Sequence, residues 1–304
     1  KGIVDEGVTS FLATTLTQSE EVLTNAVSNV AKVVEEGYEG AEILGIHFEG
    51  PYLNKAHKGA QPEEYCVKPN IEQFKRYQKA AHGLIKYITM AVENDEDYAL
   101  TKYCSQNNVV VSIGHSNATY EQAVQAYAHG ARSMTHVYNA MTPFTHRANG
   151  LVGGALRIRN MYGEIICDGD HSTLAALNNF FTSKGPDYSI MITDSLMCKG
   201  FPVGTKFDFG GQEVVIYPDG SAHLVEAGNL AGSTLNVNKG LKILIEDALV
   251  PVNYAINACT SNPARCLHVD DRKGTIGVGY DADLVVLDRD YEVVQTYCKG
   301  IGQK

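Results

Sequence analysis

A barrel of parallel strands alternating with helices, an α/β class, is the fold that this sequence predicts, on three observations. The first is the stretch from Val109 to Val137. Val109, Val110, Val111 and Ile113 read as a buried strand stopping at Gly114-His115, and Ser133 to Val137 reads as another stopping near His136. Between them Tyr120, Ala123, Val124 and Tyr127 fall at i, i+3, i+4 and i+7 behind the N-cap Thr119, with Gln122 completing a capping box and Gly130 at the stop. The unit is β-α-β, so its strands are parallel. The second observation is that the same alternation extends on both sides of this unit. The third is size: 304 residues with 44% hydrophobic content would be used up by one barrel of roughly 250 residues and a small appendage.

In chain order, Gly2 to Glu6 reads as the last turn of a helix and Thr9 to Thr15 as a strand. A helix follows from the N-cap Ser19 to Gly37, with Glu20 and Glu21 in its first turn and Leu23, Val27, Val30 and Val34 as its apolar stripe. Strand Ile43 to Phe48 ends in HFEGPYLN, where Gly50-Pro51 stops it and leaves Glu49 at its carboxyl end. A loop from Asn54 to Pro62 and a helix from Ile71 to Ala81 lead to strand Ile85 to Val92, helix Asp97 to Asn107 and the strand ending at His115. After His136 we expect a Gly-rich loop through Gly154, a strand Glu164 to Asp168, a helix Ser172 to Ser183, and a strand Ser189 to Thr193 ending in Asp194. From Val203 to Val225 alternating apolar residues around Gly210-Gly211 and Asp219-Gly220 predict antiparallel hairpins. Helices resume at Asn236 to Asp247, Val252 to Ala258 and Asn262 to Leu267, and the tail from Gly274 reads as short strands.

Composition excludes some function classes. A formal net charge of -10 argues against nucleic acid or a membrane surface as the main partner, though a local basic pocket for a phosphate is compatible with it. The 7 cysteines are scattered, with no CxxC pair, which is the usage of a reducing cytoplasm. No apolar run approaches the ~20 residues needed to span a bilayer.

Glu49, His115, His136 and Asp194 each lie just past an apolar run, on four different strands. In a barrel those carboxyl ends converge on one mouth. One carboxylate and two neutral imidazoles are a common ligand set for zinc or ferrous iron, with a position left for water. Asp194 then suits the role of a base that takes a proton and returns it to a leaving group. A lone strand-end histidine is more often a satisfied structural residue; the coincidence of four such residues favours the chemical reading. His57, His82, His129, His146, His223 and His268 fall on loops or amphipathic faces and read as mostly solvated.

The motifs HFEGPYLN, IGHSNATYEQA, THVYNAM, DGDH, TDS and GYDADLVVLD together resemble the N-acetylglucosamine-6-phosphate deacetylases of the amidohydrolase superfamily, over nearly the whole chain. DADLVVLD marks only the superfamily, whereas GHSNAT followed by THVYNAM is the more specific pair. The resemblance implies a (β/α)8 TIM-type barrel over residues 1–273, with the hairpins of about 203–226 inserted, and residues 274–304 as strands of a small β-sandwich domain. It implies a divalent metal, Zn or Fe(II), on Glu49, His115 and His136, and Asp194 as the catalytic acid/base. It also implies a cytoplasmic homodimer acting on an amino-sugar phosphate. By position, Asn139 and the backbone of Ala140 match groups that hold the sugar phosphate, and Arg147 matches an arginine reaching the neighbouring subunit's phosphate. His171, the Leu230-Ala231-Gly232 turn, and Ala60 with Gln61 in KGAQP match further substrate contacts. On bland readings Arg147 makes a surface salt bridge and Asn139 satisfies its own turn.

There are two departures from the family pattern. Some members place a carbonyl-polarising histidine where this chain has Gln61, which donates a hydrogen bond but carries no charge. Members also begin with sandwich strands and a first barrel strand that do not precede Lys1, so we expect an open barrel of seven strands, with facing edges lacking ladder partners, an incomplete metal shell and little activity. The reading is a metal-dependent amide hydrolase that converts N-acetylglucosamine 6-phosphate to glucosamine 6-phosphate and acetate. Its alternatives are a dihydroorotase-like amidohydrolase, which would want a carboxylated lysine that no strand clearly offers, and an inactive remnant that only binds sugar phosphate.

Overall fold

The computed structural model describes residues 2–303. Seven parallel strands form one sheet in sequence order: β1 (Ser10–Thr14), β2 (Glu42–Glu49), β3 (Ile85–Met90), β4 (Val110–Ile113), β5 (Ala131–Met134), β6 (Tyr162–Ile166) and β7 (Ser189–Ile192). Between successive strands come α1 (Glu20–Glu36), α2 (Ile71–Ala80), α3 (Ala99–Gln106), α4 (Tyr120–Ala128), α5 (Gly150–Arg157) and α6 (Leu174–Lys184). Their starts follow the side chains that supply caps. Ser19, Asn70, Thr119 and Thr173 each accept a backbone N–H of the first turn, and Thr119 and Gln122 form the expected capping box. Leu23 and Val27 of α1, Phe74 and Tyr77 of α2, and Phe180 and Phe181 of α6 pack on the outer face of the sheet in one core.

The sheet is curled. In a flat sheet β3 and β6 would lie about 14 Å apart, at about 4.8 Å per strand, yet the Tyr87 hydroxyl of β3 donates to the Glu164 carboxylate of β6. Thr89 of β3 likewise meets Thr135, just past β5, at 2.7 Å. Seven strands of barrel architecture therefore wrap a polar interior, and their carboxyl ends share one mouth. Among the described residues β1 pairs only with β2 and β7 only with β6. A cleft of about 1850 Å³ separates these two edges, lined by Leu12, Ile190, Ile192 and Leu284, and it reaches inward to Glu49, His136 and Asp194. The seven strands and their unjoined edges agree with the sequence reading.

Three expectations need correction. The Gly-rich stretch after His136 contains a helix, α5, rather than a loop through Gly154. A Cβ on Gly154 would lie 3.0 Å from Met134 Cε and 3.4 Å from Ala123 Cβ, so the small residues serve close packing of α5 on β5 and α4. The third helix starts at Ala99, later than expected, because Asp97 and Tyr98 are left-handed and the Asp95 carboxylate takes the N–H groups of Leu100 and Thr101. β5 ends at Met134 instead of Val137, although Thr135 N still donates to Ile113 O and Val137 N to Glu164 O beyond it.

The hairpin region is a three-strand meander, β8 (Lys206–Phe209), β9 (Gln212–Ile216) and β10 (Ala222–Leu224), around a small core of Val214, Ile216, Ala222 and Leu224. Helices α7 (Val237–Lys242), α8 (Val252–Cys259) and α9 (Ser261–Cys266) follow. The tail strands β11 (Leu284–Leu287), β12 (Val293–Cys298) and β13 (Ile301–Gly302) form a third sheet. Its Thr296 hydroxyl donates to Val4 O, which ties the tail to the start of the described chain. None of the described helices is long and apolar enough to cross a membrane.

Candidate metal centre

Glu49 is the last residue of β2, and His115 and His136 each lie two residues past the ends of β4 and β5. The strand ends turn sharply there. His115 has φ 48°, His136 φ 33° and Asp194, two past β7, φ 51°. These are left-handed conformations that side chains bearing a Cβ adopt only at a cost of order 1–3 kcal/mol each. The turns aim the side chains inward and over the mouth. Glu49, His115 and His136 are buried, only 5–6% exposed, and Asp194 is half-buried.

The three donor atoms converge. His115 Nε2 lies 2.9 Å from Glu49 Oε1 and 3.0 Å from His136 Nε2, and His136 Nε2 lies 3.6 Å from Glu49 Oε1. Ligands at about 2.0–2.2 Å from a tetrahedral metal stand about 3.3–3.6 Å from one another, and the three donor atoms are gathered close to that spacing, as a shared cation needs. Two imidazole nitrogens at 3.0 Å require a proton or a metal between them, since their lone pairs otherwise repel. His115 Nδ1 donates to the carbonyl oxygen of His57 at 2.8 Å, which fixes the tautomer and turns Nε2 towards the cluster. Among the described residues His136 Nδ1 has no partner.

Electrostatics follow the geometry. Burial opposes charge on Glu49, but hydrogen bonds from His115 and His136 hold its carboxyl well below the usual range. Burial likewise opposes the His136 cation, and the Glu49 carboxylate overcomes it, raising the imidazole to about 9. Asp194 moves the other way: burial first, then the Glu49 charge, push its carboxyl up. Two carboxyls in one mouth are thus driven apart, one held as an anion and one made easy to protonate.

The remaining predicted residues divide. Gln61 is buried over the cluster, its amide donating to Glu49 Oε1 at 3.4 Å and its oxygen accepting Thr17 N at 2.8 Å. Its amide nitrogen therefore faces the carboxylate donor. Ala60 O accepts Gln212 Nε2 of the meander at 2.6 Å. The Leu230-Ala231-Gly232 turn is brought to Asp194, for Ser233 N donates to Asp194 O at 2.7 Å. The charge of His171 acts on Asp194, opposing the rise of its carboxyl, and the ring is held by Asp168, to which its Nδ1 donates at 2.6 Å. Asn139 is half-buried in the turn after His136, where its amide reaches Val137 O at 3.5 Å, and Ala140 O accepts Ser116 N. Arg147 stands exposed on the loop 142–149 and is not part of the cluster.

Sequence reasoning missed several residues. Glu93 accepts from Asn54, Ser116 and Asn117, joining the loop after β2 to the turn carrying His115. Asp168 orients His171, and nothing in DGDH ranks one aspartate above the other. His47 was legible in principle: it lies two residues before Glu49, and period-2 alternation puts both on one face.

The profile described as "Amidohydrolase family" matches residues 3–301. An N-acetylglucosamine-6-phosphate deacetylase from Bacillus subtilis is 41% identical over 97% of this chain and 75% of its own length. An N-acetylgalactosamine-6-phosphate deacetylase from Escherichia coli O157:H7 is 32% identical over 97% of this chain and 77% of its own. The crystal structure of the N-acetylglucosamine-6-phosphate deacetylase of Pasteurella multocida, 32% identical, superposes with a TM-score of 0.90 over 98% of this chain and 77% of that one. A buried Glu-His-His cluster at the strand ends of a parallel barrel, together with these likenesses, places the chain: it belongs to the amidohydrolase family, among relatives that are N-acetylglucosamine-6-phosphate deacetylases.

Proposed function

We propose that the protein hydrolyses the acetamide of N-acetylglucosamine 6-phosphate to glucosamine 6-phosphate and acetate, a step of amino-sugar catabolism. The observation that carries this reading is the convergence of Glu49, His115 and His136 beside a half-buried Asp194, in a chain 41% identical to a deacetylase of that name. Glu49, His115 and His136 would hold one divalent metal, Zn or Fe(II), which when bound supplies the Lewis acidity that polarises the acetamide carbonyl and activates water. Asp194 does the proton work. Its raised carboxyl takes the proton of the attacking water and passes it to the amine nitrogen as the C–N bond breaks.

The substrate is held by groups around the mouth. His171, oriented by Asp168, and the Leu230-Ala231-Gly232 turn, bonded through Ser233 to Asp194, face the sugar, with Ala60 and Gln61 on the loop above. Asn139 and the Ala140 N–H take the phosphate side. Arg147, exposed on its loop, reaches the phosphate in the partner of a homodimer. The 7 free cysteines, six of them buried, suit a cytoplasmic location.

The test combines elemental analysis of protein purified without added metal with acetate release from N-acetylglucosamine 6-phosphate and its galactosamine epimer. About one Zn or Fe per chain and faster release from the glucosamine sugar are expected. A metal-loaded protein that releases no acetate from either overturns the reading in favour of a sugar-phosphate binder. Arg147→Ala should raise KM for the phosphorylated sugar at least tenfold and leave the unphosphorylated one unchanged, because only the former loses a charge-assisted contact.

A further inference from the structure

The interior beneath the cluster is hydroxyl-lined where barrels are ordinarily filled by Val, Ile and Leu. His47 Nε2 lies 2.7 Å from Thr89 Oγ1, Thr89 Oγ1 lies 2.7 Å from Thr135 Oγ1, and Thr135 Oγ1 lies 2.6 Å from Ser112 Oγ. Thr89, Ser112 and Thr135 are 0–1% exposed. Each of the three donor-bearing strand ends contributes one member: His47 stands two residues before Glu49, Ser112 three before His115, and Thr135 immediately before His136. Thr89 belongs to β3, which supplies no donor, and it pairs in register with Glu49.

The same two threonines pack against the turn that presents His115. A Cβ on Gly114 would stand 2.8 Å from both Thr135 Cβ and Thr89 Cγ2, so the backbone that aims His115 rests directly on these two threonines. Beside the file, the Tyr87 hydroxyl donates to Glu164 and the Tyr87 ring meets His47 edge-on at 5.0 Å. Donors can run in one direction from His47 to Ser112, each bond polarising the next. A satisfied network of this kind adds little net stability over apolar packing, because its hydrogen bonds replace bonds to water. What it adds is direction, since a hydrogen bond fixes distance and angle where a methyl contact fixes neither.

We propose that the His47–Thr89–Thr135–Ser112 file sets the mutual spacing of the three donor atoms, with Thr89 as a positioning residue for the metal centre. This rests on the reading of Glu49, His115 and His136 as metal ligands. The experiment measures Zn²⁺ affinity by chelator competition for wild type, Thr89→Val and Thr89→Ser, together with the Tm of each protein after metal removal. Thr89→Val, which keeps shape and loses the hydroxyl, should weaken Zn²⁺ binding by about 10–100-fold, with a metal-free protein that still unfolds cooperatively at a Tm lowered by no more than a few degrees. Thr89→Ser should bind within about threefold of wild type, a rescue that a packing role does not give. Thr89→Val binding as tightly as wild type overturns the proposal, and so does a loss in Thr89→Ser as large as in Thr89→Val. If Thr89→Val does not fold, Ser112→Ala is read by the same criterion. His136→Ala separates the two readings: if it retains full Zn²⁺ affinity, the metal centre is elsewhere and the positioning proposal falls with it.

Discussion

Strand β2 carries a glutamate at each end, and the two are held as anions by opposite means. Glu42, at the start, sits among permanent cations: Arg272 at 3.0 Å, Lys273 at 2.8 Å and Lys299 at 3.3 Å, with Asp281 and Asp283 completing the network. Burial works against its charge, and hydrogen bonds from Arg272 and Lys273 overcome this and hold the carboxyl at about 2. Glu49, at the finish, leans on His115 and His136, whose charge depends on what they bind. Around Glu42 the network ties β2 to the segment before the tail sheet. Around Glu49 three residues sit in left-handed turns and a second carboxyl is pushed towards neutrality. One end of the strand is built for stability and the other carries stored strain and chemistry, the division expected of the two faces of a parallel barrel.

The sharpest way to break this contrast is Asp194→Asn. On the role proposed for Asp194 the reaction loses its proton carrier, and kcat should fall by about a thousandfold or more. Stability should move the other way. The folded pKa of Asp194 is raised, so its ionised form disfavours the fold as pH rises through that value. A neutral amide that also tolerates the left-handed turn should therefore raise the metal-free Tm at pH 7. A kcat within tenfold of wild type would assign the base elsewhere.

Glu42→Gln should do the reverse, leaving metal content and kcat intact while lowering stability by about 2 kcal/mol in denaturant titration, since three cations lose a charged partner. Loss of metal in this variant would show that the two ends are not independent. The smallest effect is the acid profile. Because the folded pKa of Glu42 is depressed, its contribution is complete above the unfolded value near 4.5 and is lost as pH falls through about 2. Wild-type Tm should drop over that window, and the drop should be shallower in Glu42→Gln.

The alternation of strands and helices was legible because four helix starts carry side-chain caps, at Ser19, Asn70, Thr119 and Thr173, and the strands carry apolar runs, and Glu49, His115, His136 and Asp194 were legible as residues ending such runs. Their left-handed turns were not, for nothing in the local sequence marks a histidine as held at φ 33°. Helix α5 was misread because its glycines, ordinarily turn residues, here answer to neighbours distant in sequence, Met134 and Ala123. The hydroxyl file escaped for a related reason. Thr89, Ser112 and Thr135 are ordinary strand residues one at a time, and only the curl of the sheet makes them a unit.

The loop above the cluster couples two occupants of the mouth. His57 O holds the His115 ring, Gln61 holds Glu49, and Gln212 of the meander fastens Ala60 O. A displacement of this loop withdraws the supports of two donor atoms. By reciprocity, a ligand that favours the loop in place tightens the binding of whatever the donors hold, and that guest tightens the binding of the ligand by the same factor.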